Sequence, residues 1–436
     1  MINWKSSAVG TIMAAIGSTG AVAETLPPPN EQASFQLALV TTSLRPVARP
    51  ARDAAQEVVQ VVASSEPFAV WLSAFQDKAQ QQGISSATLD QAFAGVTIDP
   101  DVVRLDRNQS EFSKTIWEYL DSAVSDLRVR NGRASLAKHD AALTQIEARY
   151  GVEKEVVTAI WGLESSFGAF RGGNDTIRSL TTLAYDPRRS EFFEAELLAA
   201  LQILEAGDVS ARGMKGSWAG AMGHTQFMPT SYHRYAVDFT GDGKRDIWSD
   251  DPRDALASTA SYLAGFGWIA GQPWGVEVRL PEGFDYAEAR RDLKRSPTDW
   301  AAAGVLDTNG KSVPDHGEAS ILLPAGAQGA AFMIFDNFAV LEKYNTADAY
   351  VIGVGHLADR IAGGGAIAAD WPRGDRALTF SERKELQRLL TGAGFDTQKI
   401  DGRIGPLTIN AVRSYQTANG LIPDGYASPR LLRRLR

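Results

Sequence analysis

Apolar residues recur at helical spacing through most of residues 67–361, and strand-like alternation is nearly absent. The first clear case is "PFAVWLSAFQDKAQQQG" (67–83), where Val70, Leu72, Phe75 and Ala79 form a stripe and Gly83 is a natural stop. Further helical patterns cover 85–94, 109–128, 137–150, 155–164, 191–206, 252–265 and 332–361. Only "WGVEVRL" (274–280) alternates as a strand does. A chain of 436 residues with 44% hydrophobic content fills two or three domains with sizeable cores. The expected fold is therefore mainly α.

Two stretches bound this helical body, which is expected over 66–363. At its C-terminal side, the Gly- and Ala-rich residues 364–378 read as a linker. A small unit follows over 379–436. Thr379 and Glu382 form a capping box ahead of Leu386, Leu389 and Leu390, and Gly394 ends that helix. Pro406 and Gly420 bracket a second helix, and Ser428-Pro429 opens a third carrying Leu431, Leu432 and Leu435. At the other side, residues 24–65 hold Pro27, Pro28, Pro29, Pro46 and Pro50 and read as a flexible tether. Residues 1–23 combine Lys5, the weakly apolar Ala8–Ile16 and the small-residue end Ala21-Val22-Ala23, the pattern of a cleaved signal peptide.

The chain contains no cysteine, which excludes disulfides, thiolate catalysis, Zn–Cys sites and lipidation of an N-terminal cysteine. Net charge is −8 with no long basic patch, which argues against a nucleic-acid partner. No segment reads as a transmembrane span. A soluble protein exported to the periplasm is the expectation.

One carboxylate sits oddly. In "GVEKEVVTAIWGLESSFG" (151–168), Val157, Ile160 and Glu164 share a helical face, so Glu164 points with the core residues. Burial disfavours the charged form of a carboxyl, and a carboxylic acid kept protonated suits general-acid work. A buried Glu paired with Arg or backbone N–H groups satisfies the same spacing. About 60 residues later, "SWAGAMGHTQFMPTSY" (217–232) places Gly220 and Gly223 before Gln226. Small residues allow close approach to a ligand, and Gln226 offers a donor and an acceptor to a sugar. Trp161, Trp218 and Phe227 are candidate aromatic faces.

Together these motifs resemble the lysozyme-like lytic transglycosylases of bacterial cell walls, of the murein transglycosylase B family. "DPRRSEFF" (186–193), "AVDFTGDGKRDIWSDDPRDALAS" (236–258) and "DNFAVLEKYNTADAYVIGVGHLADRI" (336–361) add to the resemblance, which spans most of 66–363. It implies an α+β lysozyme-like catalytic domain acting on peptidoglycan glycan strands, with Glu164 as sole acid/base. That Glu would protonate the bond between N-acetylmuramic acid and N-acetylglucosamine, then take the proton from the sugar's 6-hydroxyl, leaving a 1,6-anhydro end. Ordinary glycosidases use two carboxylates. By the same resemblance Ser217, Gln226, Arg188, Arg189, Tyr344 and Asn345 contact substrate. A muramidase using water and a non-catalytic wall-binding scaffold are the alternatives. Other cell-wall enzymes are candidate partners.

No cofactor is required by this chemistry, but a structural calcium ion is a candidate. Asp238, Thr240, Asp242, Gly243 and Asp246 fall at positions 1, 3, 5, 6 and 9 of an EF-hand scheme. Position 12 is Ser249, so the bidentate Glu is missing. An Asp/Gly-rich turn without metal fits the same residues. His224, beside Gln226, reads as a packed side chain rather than a base. Residues 379–436 resemble the three-helix peptidoglycan-binding domain through Asp401-Gly402, Gly405-Pro406, Thr408, Ala411, Tyr415-Gln416 and Asp424-Gly425. Such a module would hold an enzyme on its polymer.

Overall fold

A computed structural model of the chain describes residues 65–107 and 114–436. The expected signal peptide (1–23) and tether (24–65) lie outside them, apart from Ser65, which opens the first helix. The main body opens with eleven helices: α1 (Ser65–Gln81), α2 (Ser86–Phe93), α3 (Pro100–Arg107), α4 (Ile116–Ala123), α5 (Asp126–Lys138), α6 (Asp140–Tyr150), α7 (Lys154–Ser165), α8 (Thr176–Tyr185), α9 (Ser190–Ala206), α10 (Pro229–Tyr235) and α11 (Arg253–Gly265). A two-stranded ribbon, β1 (Asn174–Asp175) with β2 (Lys215–Gly216), is inserted between them.

The body is organised around α7. Every residue from Val156 to Gly162 is buried, so this helix is apolar all round and needs neighbours on each side. It is met by α5 and by α14 (Asp348–Ile361), itself buried from Tyr350 to Ala358. The chain enters α14 from α13 (Asp336–Tyr344). A four-stranded antiparallel sheet is inserted between α11 and α13: β3 (Gly275–Arg279), β4 (Leu306–Asp307), β5 (Ser320–Leu322) and β6 (Ala331–Ile334), in order β4-β3-β6-β5. Val278 pairs with Asp307 on one side and Ala331 on the other. With α12 (Pro297–Ala302), the sheet encloses its own core around the fully buried Trp300.

Helix starts follow local chemistry. Thr115 and Glu118 close a capping box at α4, and Thr379 and Glu382 close the expected one at α15 (Phe380–Gly392). Pro406 and Pro429 occupy first-turn positions of α16 (Pro406–Ala418) and α17 (Pro429–Leu435). These three helices share a core of Leu386, Leu390, Val412, Tyr415, Leu431 and Leu432.

Several expectations needed correction. The helix expected over 332–361 is three elements. Its first residues, Phe332 to Ile334, belong to strand β6, because an unbroken apolar run fits a doubly covered strand as well as a buried helix. The rest breaks after Tyr344, where Asn345 is extended and its Oδ1 accepts the Ala347 N–H at 3.0 Å. The pattern over 109–128 contains α4 and the start of α5, parted at the N-cap Ser125. Helices α3, α8, α10 and α12 were not expected. On α1, Val70 is 66% exposed, and Phe75 and Ala79 carry the buried face.

The segment 364–378 is strapped to the body. Glu277 accepts the N–H groups of Ala368 and Ala369 at 2.8 and 2.7 Å. Trp371 packs near Trp117, and Arg373 makes a two-pronged pair with Asp121. The module itself touches the sheet subdomain. Asp424 Oδ2 accepts the Ala327 N–H at 3.0 Å, and Arg413 donates to the Ala289 carbonyl.

Candidate active site

Glu164 lies in the last turn of α7. Immediately after it the backbone is unusual: Ser166, Phe167 and Gly168 all have positive φ, at 51°, 60° and 85°. For residues with a Cβ this costs energy and persists only where neighbours enforce it. Here the Phe167 ring folds back onto the helix, and a Cβ added at Gly162 would lie 2.6 Å from it. Gly162 is thus part of the mould that ends the helix just past Glu164. Ser165 locks the turn, donating to the His224 carbonyl at 2.6 Å and accepting the Gly168 N–H at 2.9 Å.

Glu164 is half-buried. The Tyr350 hydroxyl, from the first turn of α14, donates to its Oε1 at 2.5 Å. Tyr344 stacks nearly parallel to Tyr350, with centroids 6.5 Å apart and planes 9° apart. Burial, then the charge of Glu164, push both phenols well above the usual tyrosine range. Both therefore remain O–H donors. Tyr344 donates to the Thr225 carbonyl at 2.6 Å, next to Gln226.

Gln226 sits in a tight turn, at φ 55°, between the paired Met222 and Phe227. Its Nε2 donates to the carbonyls of Gly223 and Arg171 at 2.9 and 3.1 Å. Ser217 opens this segment, and its Oγ accepts the N–H groups of Ala219 and Ala221. The structure thus ties Glu164, Tyr344 and Gln226 into one connected framework, with Ser217 nine residues before Gln226 on the same segment.

Other candidates are placed differently. Trp161 and Phe227 are buried and offer no open face; Trp161 Nε1 donates to His224 Nδ1 at 3.0 Å. The His224 proton therefore lies on Nε2, which donates to the Ser249 carbonyl at 2.7 Å. Burial and the neighbouring Arg171 hold His224 below its usual range, so it is neutral. The space at Gly220 and Gly223 is filled by Leu180 and Ile247. Arg188 and Arg189 both pair with the buried Asp106; Arg188 Nε reaches Oδ2 at 2.6 Å. Asn345 is exposed beside Tyr344. Tyr350 and Asp106 were missed from the sequence. Two cavities, of about 320 and 420 Å³, lie elsewhere, and Glu164 lines neither.

The acidic loop gathers three carboxylates. Asp238, Asp242 and Asp254 bring one oxygen each to within 4.8 Å of one another. Oxygens around calcium, each about 2.4 Å from the ion, lie at such separations. Asp254, in the first turn of α11, was not among the expected ligands. Burial, with Asp238 nearby, pushes its carboxyl up. Thr240 donates to Asp238, and Asp246 accepts the N–H groups of Trp248 and Ser249. These three carboxylates are hard oxygen donors of the type calcium takes, and a bound ion would need further oxygens to reach its usual six to eight.

The Transglycosylase SLT domain model matches residues 67–359. The chain belongs to that family. A peptidoglycan binding domain model matches residues 381–435. The chain is 34% identical over 251 residues to the membrane-bound lytic murein transglycosylase B of Escherichia coli (strain K12), covering 56% of this chain and 66% of that protein, just under two thirds of its length. Among solved structures, SltB3 from Pseudomonas aeruginosa in complex with NAG-anhNAM-pentapeptide is 52% identical, with a TM-score of 0.82 over 85% of this chain and 99% of that one. The Escherichia coli lytic transglycosylase Slt35 in complex with calcium is 31% identical, with a TM-score of 0.58 over 67% of this chain and 92% of that one. The SLT match contains Glu164, Tyr344, Tyr350, Gln226 and the acidic loop. Among the described residues, no helix is long and apolar enough to cross a membrane.

Proposed function

We propose that this chain is a lytic transglycosylase of peptidoglycan in which Glu164 alone supplies acid and base. The observation that carries this reading is the Glu164–Tyr350 hydrogen bond within the strained end of α7. The Tyr350 hydroxyl holds one oxygen of the carboxyl and so orients it.

The reaction balances without water. Glu164 gives its proton to the glycosidic oxygen as the bond to C1 of N-acetylmuramic acid breaks. The resulting carboxylate takes the proton of that sugar's 6-hydroxyl as O6 bonds to C1. The products are a free 4-hydroxyl on N-acetylglucosamine and a 1,6-anhydro ring, and Glu164 is protonated again. The complex of the Pseudomonas relative with an anhydro-sugar peptide supports this product.

Gln226 spends its N–H groups on the loop, leaving Oε1 to accept from a sugar hydroxyl or acetamido N–H. Ser217, Tyr344 and Asn345 would add further contacts to the substrate. Arg188 and Arg189 keep N–H groups beyond those given to Asp106, available to lactyl or peptide carboxylates. Calcium would be held by Asp238, Asp242 and Asp254 as a structural ion, offsetting like charges where the loop meets α11; the calcium complex of Slt35 supports it.

In this reading the chain divides into a signal peptide (1–23), a tether (24–65), a catalytic domain (66–363), a connector (364–378) and a peptidoglycan-binding domain (379–436), and it works in the periplasm. Mass spectrometry of digested sacculi tests the reaction. Anhydro-muropeptides are expected; reducing muramic ends would make the enzyme a hydrolase.

A further inference from the structure

Phe170 is the most exposed large apolar side chain among the described residues, at 76%. A phenylalanine left in water forgoes the gain of burial, so its setting decides whether it is an idle surface residue. It lies six residues after Glu164, in the loop that closes α7. That loop is held at both ends and from the side. The Phe170 N–H donates to the Ser165 carbonyl at 2.9 Å. Arg171 donates to the Ser249 carbonyl at 2.6 Å and to Asp250 at 2.8 Å, and its own carbonyl accepts from Gln226 Nε2. Gly172, at φ 86°, lies so close to the Gly216–Ser217 peptide that an added Cβ would sit 2.2 Å from it.

The loop therefore runs from Glu164 to the backbone of Ser217, and Gln226 grips it midway. These contacts hold its backbone in place, and the Phe170 ring stands exposed on it. Of the aromatic side chains first suspected of facing the substrate, Trp161 and Phe227 are buried and Trp218 is half-buried against the core.

We infer that Phe170 is a binding residue of the glycan groove, a rigid aromatic platform against which the apolar face of a pyranose ring packs. This rests on the reading of the chain as a glycan-cleaving enzyme. Aromatic rings bring large contact area at little cost in side-chain order. A platform on a pinned loop loses less still on binding. The contact is to sugar, so it does not require the stem peptides.

The test uses the full chain and peptide-free glycan strands. Phe170→Ala should raise KM about tenfold, the scale of one lost aromatic contact. Turnover should stay within about twofold. The melting temperature should not move, because the ring is exposed. Phe170→Trp should restore KM, whereas Phe170→Leu should not. In a Glu164→Gln background, the indole introduced by Phe170→Trp should change its emission when peptide-free glycan is added, relative to the parent variant. An unchanged KM in Phe170→Ala, or no emission response in the Trp variant, overturns the inference even if Glu164→Gln abolishes cleavage. An effect seen only with peptide-bearing sacculi overturns it too, and assigns Phe170 to the stem peptide. The emission arm reads contact whether or not the wild type cleaves.

Discussion

The Tyr350 hydroxyl reaches Glu164 Oε1 at 2.5 Å, joining residues 186 positions apart in the chain. The two helices that carry them, α7 and α14, pack directly together in the core, so the pair is fixed by the body of the fold and not by a loop. The phenol is held protonated, so its O–H is available to donate to the carboxyl.

Tyr350→Phe removes that donor with little change in volume. Glycan cleavage should fall about 10- to 100-fold, the equivalent of a hydrogen bond to a charged group. The loss should appear in kcat, measured by release of anhydro products, with KM nearly unchanged. Unaltered kcat would mean that the bond does not orient the acid.

Gly162→Ala places a methyl 2.6 Å from the Phe167 ring, inside the turn that ends α7. Overpacking of this kind costs about 1–3 kcal/mol. Thermal melting should drop accordingly, and activity should fall with it as the end of the helix shifts. A variant as stable and active as wild type would show that the fold-back of Phe167 is not needed.

How much of this was legible beforehand depends on distance along the chain. The inward set of Glu164 follows from i, i+3 and i+7 spacing, and the caps at Thr379, Pro406 and Pro429 are written within a few residues of each helix start. Tyr350 was not legible, because nothing in local spacing links α14 to α7. Asp106, which takes both Arg188 and Arg189, lies 82 residues from the first of them and reads locally as one more helical acid. Trp161 and Phe227 looked like candidate ligand faces because composition cannot tell an aromatic that lines a groove from one that fills a core. Asp254 escaped because it lies beyond the twelve-residue loop that the EF-hand scheme covers.

Calcium should stabilise the loop through Asp238, Asp242 and Asp254. An ion at about 100 times its Kd adds about 2.7 kcal/mol. The melting temperature should rise with calcium and fall with chelator, and Asp254→Asn should lose most of that response. Identical melting in calcium and chelator would remove the ion from the account.

His356 gives a pH dependence. Burial, then the charge of Arg360, push it down to about 4, well below an unfolded histidine at about 6.5. Between those values the unfolded chain binds the extra proton. Stability therefore rises with pH from about 4 to 6.5, and protonation below that window costs about 3 kcal/mol. Asp359 is pushed the other way, up to about 6, by desolvation of its carboxyl, against the lowering effect of the Trp274 hydrogen bond. It also borders a cavity that water reaches, so its opposing contribution is screened. His356→Gln should lose the rise, so that its denaturant midpoint stays flat or declines from pH 4 to 6.5. The wild-type slope persisting in the variant would assign it elsewhere.

In the proposed mechanism Glu164 performs both proton transfers. Wild type and Glu164→Gln should be compared on the same purified sacculi, with the released muropeptides identified by mass spectrometry. The account predicts 1,6-anhydro ends from the wild type and no release from a folded Glu164→Gln variant with wild-type melting. Release of anhydro-muropeptides by that variant at the wild-type rate would contradict it.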